Sequence, residues 1–239
     1  MPGPGSQESG NAYDAHVSTP GNSAAALRGL IVDWGGVLTA PIDEAMTAWA
    51  RHEGIDLEVY RTVMRSWIEA AASPIHALER GEMTPSDFEG LLAQGFRDRG
   101  VAVRADGLLA RMLGGLRELS DDMVNLVRRA RHQGVRTALL SNSWGEHYPE
   151  HLWVGAFDAV VISGRVGMRK PDAEIFQHTA DLLQLTTAEC VMVDDMPTNI
   201  RERSQSAWWA FGMSATSRPS TNSRCFSNCR CAEPVRGSR

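Results

Sequence analysis

The sequence predicts an α/β fold, a Rossmann-like doubly wound parallel sheet with a helical cap inserted after its first strand. Three observations predict it. Short apolar runs alternate with amphipathic helical stretches over residues 121–200, the pattern of parallel strands joined by crossover helices. An isolated apolar run, Leu30-Ile31-Val32, stops at Asp33 and is followed by Gly35-Gly36. Between these two parts lies a stretch with helical periodicity and no strand pattern.

Each element follows from its residues. Residues 1–26 are rich in Gly, Pro, Ser, Asn and Ala and read as a flexible leader. They have no basic start and no apolar stretch, so they do not read as a signal peptide. Leu30–Val32 is a buried strand whose carboxylate and glycine turn suit the C-terminal end of an α/β strand. Residues 41–120 form the cap: Trp49, Val59, Val63, Trp67 and Ile68 recur near helical spacing, as do Phe88, Leu91 and Leu92. Thr84-Pro85 reads as a helix cap followed by the first helical position. Asp122–His132 is an amphipathic helix closed by Gly134. Val135–Leu140 is a strand leading into Ser141-Asn142-Ser143, Ala159–Ile162 a further strand, Pro171–Leu185 a helix, and Cys190–Val193 a strand ending at Asp194-Asp195. The core is therefore expected at 27–40 and 121–200.

After Ile200 the composition changes. Residues 201–239 hold seven Arg and eight Ser but no Leu or Ile. Only residues 207–211 could make a strand. A buried parallel sheet wants aliphatic strands, so 201–239 is expected to be an aberrant or disordered tail. Of the basic side chains 23 are Arg and one is Lys. That preference hints at GC-rich codons and makes a frameshift one origin for the tail.

Composition limits the function. The chain has 239 residues, 43% hydrophobic and 22% charged, with a net charge of −5, enough to bury a core. The tail is basic, so the body is more acidic than the total. This argues against a nucleic-acid surface. No run approaches the about 18 apolar residues of a membrane span. Three of the four cysteines fall in the last fifteen residues, which fits neither a disulfide scaffold nor, for Cys225, Cys229 and Cys231, a usual zinc spacing. The expected compartment is the cytoplasm. Oligomeric state cannot be read.

Four features recur at strand ends: Asp33 with Gly35-Gly36, Ser141-Asn142, Lys170-Pro171-Asp172, and Asp194-Asp195. Parallel strands bring their C-terminal ends to one crevice, so three acids, a hydroxyl and an ammonium are expected in one pocket. That set suits phosphoryl transfer to a carboxylate. An Asp is ordinarily ionised at neutral pH and needs no base to attack. A divalent cation on hard oxygen ligands cancels its repulsion from the phosphate. The only lysine, Lys170, adds a compact charge, and Ser141 a hydroxyl donor. Trp34 and Trp144 flank the pocket. Trp49 and Trp67 read as cap core, and His147 and His151 as surface or cap-contact histidines.

In these motifs (residues 31–38, 139–142, 170–172 and 191–195) the sequence resembles the haloacid dehalogenase superfamily of hydrolases. Residues 77–85, Ala-Leu-Glu-Arg-Gly-Glu-Met-Thr-Pro, are similar to caps of the subgroup that includes the N-terminal phosphatase domain of soluble epoxide hydrolase. The resemblance implies Asp33 as nucleophile forming an aspartyl-phosphate. Ser141 and the Asn142 backbone would hold the phosphate, and Lys170 would bridge nucleophile and phosphate. Mg²⁺ would sit on Asp33, the Gly35 carbonyl and Asp195, with Asp194 beside it or acting through water. The implied activity is cleavage of a small phosphorylated metabolite. One position departs: the family's acid/base Asp is here Gly35. General acid–base catalysis is typically worth about 10²–10⁴-fold, so activity is expected to be weak on strongly basic leaving groups and less affected on acyl or aryl phosphates. Two alternatives stay open: a metal-independent 2-haloacid dehalogenase-like hydrolase, and a non-catalytic binder of phosphate ligands.

Overall fold

The computed structural model describes residues 26–145, 148–199 and 209–212. Five parallel strands form one sheet: β1 (Gly29–Val32), β2 (Arg136–Ser141), β3 (Ala159–Ile162), β4 (Cys190–Asp194) and β5 (Trp209–Gly212), in the order β3-β2-β1-β4-β5. β1 is buried along its whole length, as a central strand covered on both faces must be. Its register sets Val32 against Leu139 on one side and Val193 on the other. The chain builds outward from β1 through β2 and β3, then returns to add β4 and β5 on the other side. The β1/β4 boundary is thus the point where strand order reverses, and ligands bind there in open sheets of this kind.

Helices cover both faces. α6 (Asp121–His132) starts at Ser120, whose hydroxyl accepts from Met123 N, and lays Met123, Val124 and Val127 against Leu30, Val32 and Leu139. α8 (Ala173–Leu182) packs Ile175, Phe176 and Ala180 against Ile31, Ala138 and Leu140 on the opposite face. A short helix, α7 (Ser163–Val166), follows β3.

The cap lies between β1 and β2, as expected. It consists of α1 (Ile42–Glu53), α2 (Leu57–Ile68), α3 (Pro74–Glu79), α4 (Pro85–Arg97) and α5 (Leu108–Met112). These helices share a hydrophobic cluster of their own, built on Trp49, Val63, Phe88, Leu92, Phe96, Leu108 and Met112. The expected start of α4 is present: Thr84 Oγ1 accepts from Asp87 N and Pro85 opens the helix. The two chain crossings into the cap run side by side, with a bridge between Thr39 and Leu119 and a 2.7 Å bond from Ser120 N to Leu38 O.

Several boundaries move by one to three residues. The helix expected over 171–185 runs over 173–182, its start set by the non-helical backbone of Asp172, with φ −57° and ψ 138°. In the segment expected to be aberrant, Trp209–Gly212 pairs with Val191–Asp194, within two residues of its one strand candidate. The rest of that segment, the leader 1–25 and His147 lie outside the described residues.

The cap carries its own core, so it should be sensitive to a single large cavity. Phe88 is fully buried and touches the rings of Trp67 and Trp144 at 5.4 and 5.6 Å. Phe88→Ala should cost about 3–5 kcal/mol, read as a lowered denaturation midpoint; a loss below about 1 kcal/mol would contradict this packing.

Candidate active site

Asp33 continues β1 by one residue, its N–H donating to Val193 O at 2.9 Å. Its side chain then turns back, Oδ1 accepting from Trp34 N at 2.7 Å, and opens the tight turn Trp34–Leu38. Asp194 is the last residue of β4 on the neighbouring strand, and Asp195 follows it. The parallel register therefore puts three acids side by side, with carboxylate oxygens of Asp33, Asp194 and Asp195 within 4.8 Å of one another.

Lys170 enters between two of them. Its Nζ lies 2.8 Å from Asp33 Oδ1 and 2.7 Å from Asp194 Oδ2, and its side chain is 1% exposed. The expected bridge from nucleophile to phosphate is thus, in this structure, a bridge between two carboxylates. Asn142 holds the lysine in place: its Nδ2 donates to Lys170 O at 3.0 Å and its Oδ1 accepts from Lys170 N at 2.8 Å. The side chain of Asn142 is therefore committed to the main chain of Lys170.

Asp194 is well satisfied. Oδ1 accepts from Met196 N at 2.8 Å, Asn199 Nδ2 reaches both oxygens at 3.0 Å, and Lys170 takes Oδ2. Asp195 is not. Its Oδ1 is buried with no hydrogen-bond partner among the described residues. A buried carboxylate oxygen left unpaired is costly. Three carboxylates face one ammonium here, which leaves two formal negative charges. Clustered hard oxygens, an excess of negative charge and one orphaned oxygen are what a Mg²⁺ ion fits. Asp33 and Asp195 are the residues best placed to hold it.

The charge crowding appears in the protonation equilibria. Burial, reinforced by Asp194 and Asp195 and opposed by Lys170, pushes the Asp33 carboxyl up to about 7. Burial, with Asp194 adding to it, pushes Asp195 up to about 6. Burial thus works against the ionised Asp33 expected from its residue type, and the Lys170 ammonium in contact with it works in its favour. Lys170 moves the other way. Burial disfavours its charge, but Asp33 and Asp194 outweigh burial and hold it above the ordinary lysine range.

Two glycines shape this edge differently. Gly36 has φ +69°, and a Cβ there would lie 2.1 Å from Asp195 Oδ2, so the turn passes directly against the Asp195 carboxylate. At Gly35, a Cβ would meet Ile42 Cδ1 at 3.0 Å. An apolar cap side chain thus lies against the position where a side chain on residue 35 would begin.

Ser141 Oγ lies 2.9 Å from Tyr148 Oη. Tyr148 also stacks edge-on to Trp34 at 5.5 Å, and burial raises its phenol. Sequence reading missed Tyr148, since nothing in its spacing marks it. It also missed Asn199, five residues after Asp194 in a helical segment that begins at Pro197, and Gly36 as a site residue. His151 sits in a short turn, Glu150–Leu152, and is exposed; it has no part in the cluster.

Comparison with known proteins gives the family. The profile of the haloacid dehalogenase-like hydrolases matches residues 27–201, and the chain belongs to that family of hydrolases. A sesquiterpene phosphatase, AstK of Aspergillus oryzae, is 28% identical over 126 residues, covering 51% of this chain and 63% of its own length. The bifunctional epoxide hydrolase 2 of Sus scrofa is 24% identical over 193 residues, covering 74% of this chain and 34% of its own. The chain thus spans less than two thirds of either relative. Among solved structures, a magnesium complex of a family enzyme from Bacteroides thetaiotaomicron superposes with a TM-score of 0.57 at 19% identity, over 80% of this chain and 94% of that one. A dehalogenase with an intermediate complex superposes at 0.60 and 18%, over 82% and 88%. At such identities the likeness is one of fold. No helix among the described residues is long and apolar enough to cross a membrane.

Two outcomes test the site. Because Asp33 and Asp195 hold protons in the folded state above the ordinary 3.8, the folded protein without metal binds more protons than the unfolded chain between about pH 4 and 7. Its stability from these groups therefore falls as pH rises through that window. Mg²⁺ competes with those protons, so it should raise Tm strongly at pH 8 and little at pH 5; equal increments at both would contradict the site. Gly36→Ala should cost roughly 1–2 kcal/mol for the left-handed backbone alone and, by displacing Asp195, weaken Mg²⁺ affinity in calorimetry. Unchanged affinity would show that the close approach to Asp195 is unimportant.

Proposed function

We propose that this hydrolase is a Mg²⁺-dependent phosphatase acting on a small phosphorylated metabolite through an aspartyl-phosphate on Asp33. The observation that carries the reading is the Lys170 ammonium between Asp33 and Asp194, beside the orphaned Asp195 oxygen. That arrangement anchors a nucleophile and leaves a place for one hard cation.

Among the described residues, both hydrogen-bonding contacts to the Asp33 carboxylate fall on Oδ1, from Trp34 N and Lys170 Nζ. Oδ2 is then the oxygen left to meet the cation and the phosphoryl group. Lys170 has three N–H donors; two meet carboxylates, and the third is available to a phosphoryl oxygen. Ser141, whose Oγ lies within hydrogen-bond distance of Tyr148, offers a hydroxyl to another, and the Asn142 backbone a further donor. Asp33, the Gly35 carbonyl and Asp195 would hold Mg²⁺, with Asp194 beside it through its bond to Lys170. When bound, the ion would neutralise the carboxylates and polarise the phosphoryl group. Transfer to Asp33 breaks the bond from phosphorus to the leaving oxygen, and water then releases phosphate and regenerates the carboxylate.

The leaving group receives little help. Gly35 carries no acid, and Ile42 brings an apolar surface to that position. Substrates whose leaving groups are stable as anions, acyl and aryl phosphates, are therefore favoured over alkyl esters. The phosphatase relative, similar over part of its length, supports the choice of a phosphorylated substrate. The domain reading goes with this proposal: a leader at 1–26, core at 27–40 and 121–200, cap at 41–120, and an aberrant or disordered tail at 201–239.

Steady-state kinetics test the reading. p-Nitrophenyl phosphate turnover should require Mg²⁺, vanish with chelator and in Asp33→Asn, and fall at least about 10²-fold in Lys170→Met. Acyl and aryl phosphates should exceed alkyl phosphates by about 10²-fold or more in kcat/KM. Chloride release from 2-haloacids without Mg²⁺, or turnover that survives Asp33→Asn, would overturn it.

A further inference from the structure

We infer that Glu79, on the cap, is a positioning residue that fixes the spacing between the Ser141–Trp144 loop and Lys170, acting through Arg169 and Trp144. Glu79 is the last residue of α3 and is buried. Its Oε2 accepts from Arg169 Nε at 2.6 Å and its Oε1 from Trp144 Nε1 at 3.3 Å. Its main-chain oxygen accepts from Ser163 Oγ at 2.5 Å, and that same Oγ accepts from Ser143 N at 2.7 Å. One cap residue therefore holds three core segments.

Two of those segments carry the proposed phosphate ligands. Arg169 immediately precedes Lys170, and Trp144 comes three residues after Ser141. Asn142 already ties the loops together at their other end, through its paired bonds to the Lys170 main chain. The contacts close a ring that runs from Glu79 to Arg169, Lys170, Asn142, Ser143, Trp144 and back to Glu79. Asn142 alone leaves the two loops free to pivot; the carboxylate spanning Arg169 and Trp144 removes that freedom. The Arg169–Glu79 pair is 14% and 9% exposed, too little for solvent and salt to screen it as they do surface pairs. Gly81, just beyond α3, lies so close to the core that a Cβ there would come 2.5 Å from Gly164 O. The Phe88 ring meets the Trp144 ring at 5.6 Å. The cap is seated on these two loops, and Glu79 is the charge at that seat.

A cap latch without a positioning role would alter stability and the KM of bulky substrates. Positioning alters phosphate handling itself. The inference rests on the phosphatase reading for its kinetic arm only. The full-length protein, Glu79→Ala, Glu79→Gln and Arg169→Met are compared with saturating Mg²⁺ in two assays: kcat and KM for acetyl phosphate, the smallest substrate, and calorimetric affinity for inorganic phosphate. Glu79→Ala and Arg169→Met should lower kcat and phosphate affinity between about tenfold and hundredfold, as small misplacements of reacting groups do. Glu79→Gln, which keeps an acceptor of the same length, should recover part of both. The double variant Glu79→Ala/Arg169→Met should be no worse than either single one. If Glu79→Ala does not fold, Glu79→Gln and Arg169→Met decide the matter by the same two readouts. Unchanged kcat and phosphate affinity in folded variants, with effects confined to Tm or to KM of larger substrates, overturns the inference. A wild type that binds phosphate without turning over acetyl phosphate defeats the phosphatase reading alone, and the affinity arm still decides. A wild type that binds no phosphate overturns both.

Discussion

Three carboxylates within 4.8 Å of one another repel, and taking them out of water makes the repulsion stronger. Lys170, buried and in contact with two of them, is what lets the strand ends of β1 and β4 sit side by side. Much of the surrounding structure serves that contact. Asn142 pins the lysine main chain, Asn199 and Met196 N occupy the oxygens of Asp194 that the lysine leaves over, and Gly36 clears the space that Asp195 needs. The lysine settles only part of the charge. What remains is an Asp33 shifted to about 7, an Asp195 shifted to about 6 and one oxygen without a donor. On the proposed reading a divalent cation supplies the charge that the lysine leaves uncompensated.

The cap borders the site. It is a second small core attached by two adjacent crossings at Thr39 and Leu119. It contributes an apolar side chain, Ile42, against Gly35, and a charged one, Glu79, where it rests on the segments of Trp144 and Arg169. On the proposed reading the cap therefore selects leaving groups by withholding a proton and supports the chemistry by holding loops in register.

Much of this was legible in the sequence, because strand ends in a parallel sheet are marked by abrupt changes of residue type. Val32 to Asp33, Leu140 to Ser141 and Val193 to Asp194 each pass from aliphatic to polar at the end of a buried run, and pairing in register guarantees that such ends meet. The only lysine drew attention by its rarity. What the sequence did not disclose depends on contacts between distant segments. Asp33 looked like an ordinary ionised aspartate, since its desolvation comes from neighbours on other strands. Tyr148 and Glu79 sit in stretches whose composition gives no sign that a hydroxyl or carboxylate turns inward. Trp209–Gly212 overlaps the strand candidate at 207–211, but the lack of aliphatic residues around it gave no reason to place it in the sheet, where it pairs with β4. The glycines show the same limit: Gly35 stood out as a departure from the family pattern, whereas the closer steric constraint is at Gly36.

The central claim is that Asp33, held by Lys170 and the turn of Trp34, takes the phosphoryl group onto itself. Rapid acid quench of the Mg²⁺-loaded protein during turnover of acetyl phosphate, followed by mass spectrometry of the peptide containing residue 33, measures this directly. A transient phosphoryl adduct on Asp33 that forms and decays at rates compatible with turnover is expected. Steady turnover with Asp33 never modified, or an adduct on a different residue, would contradict it.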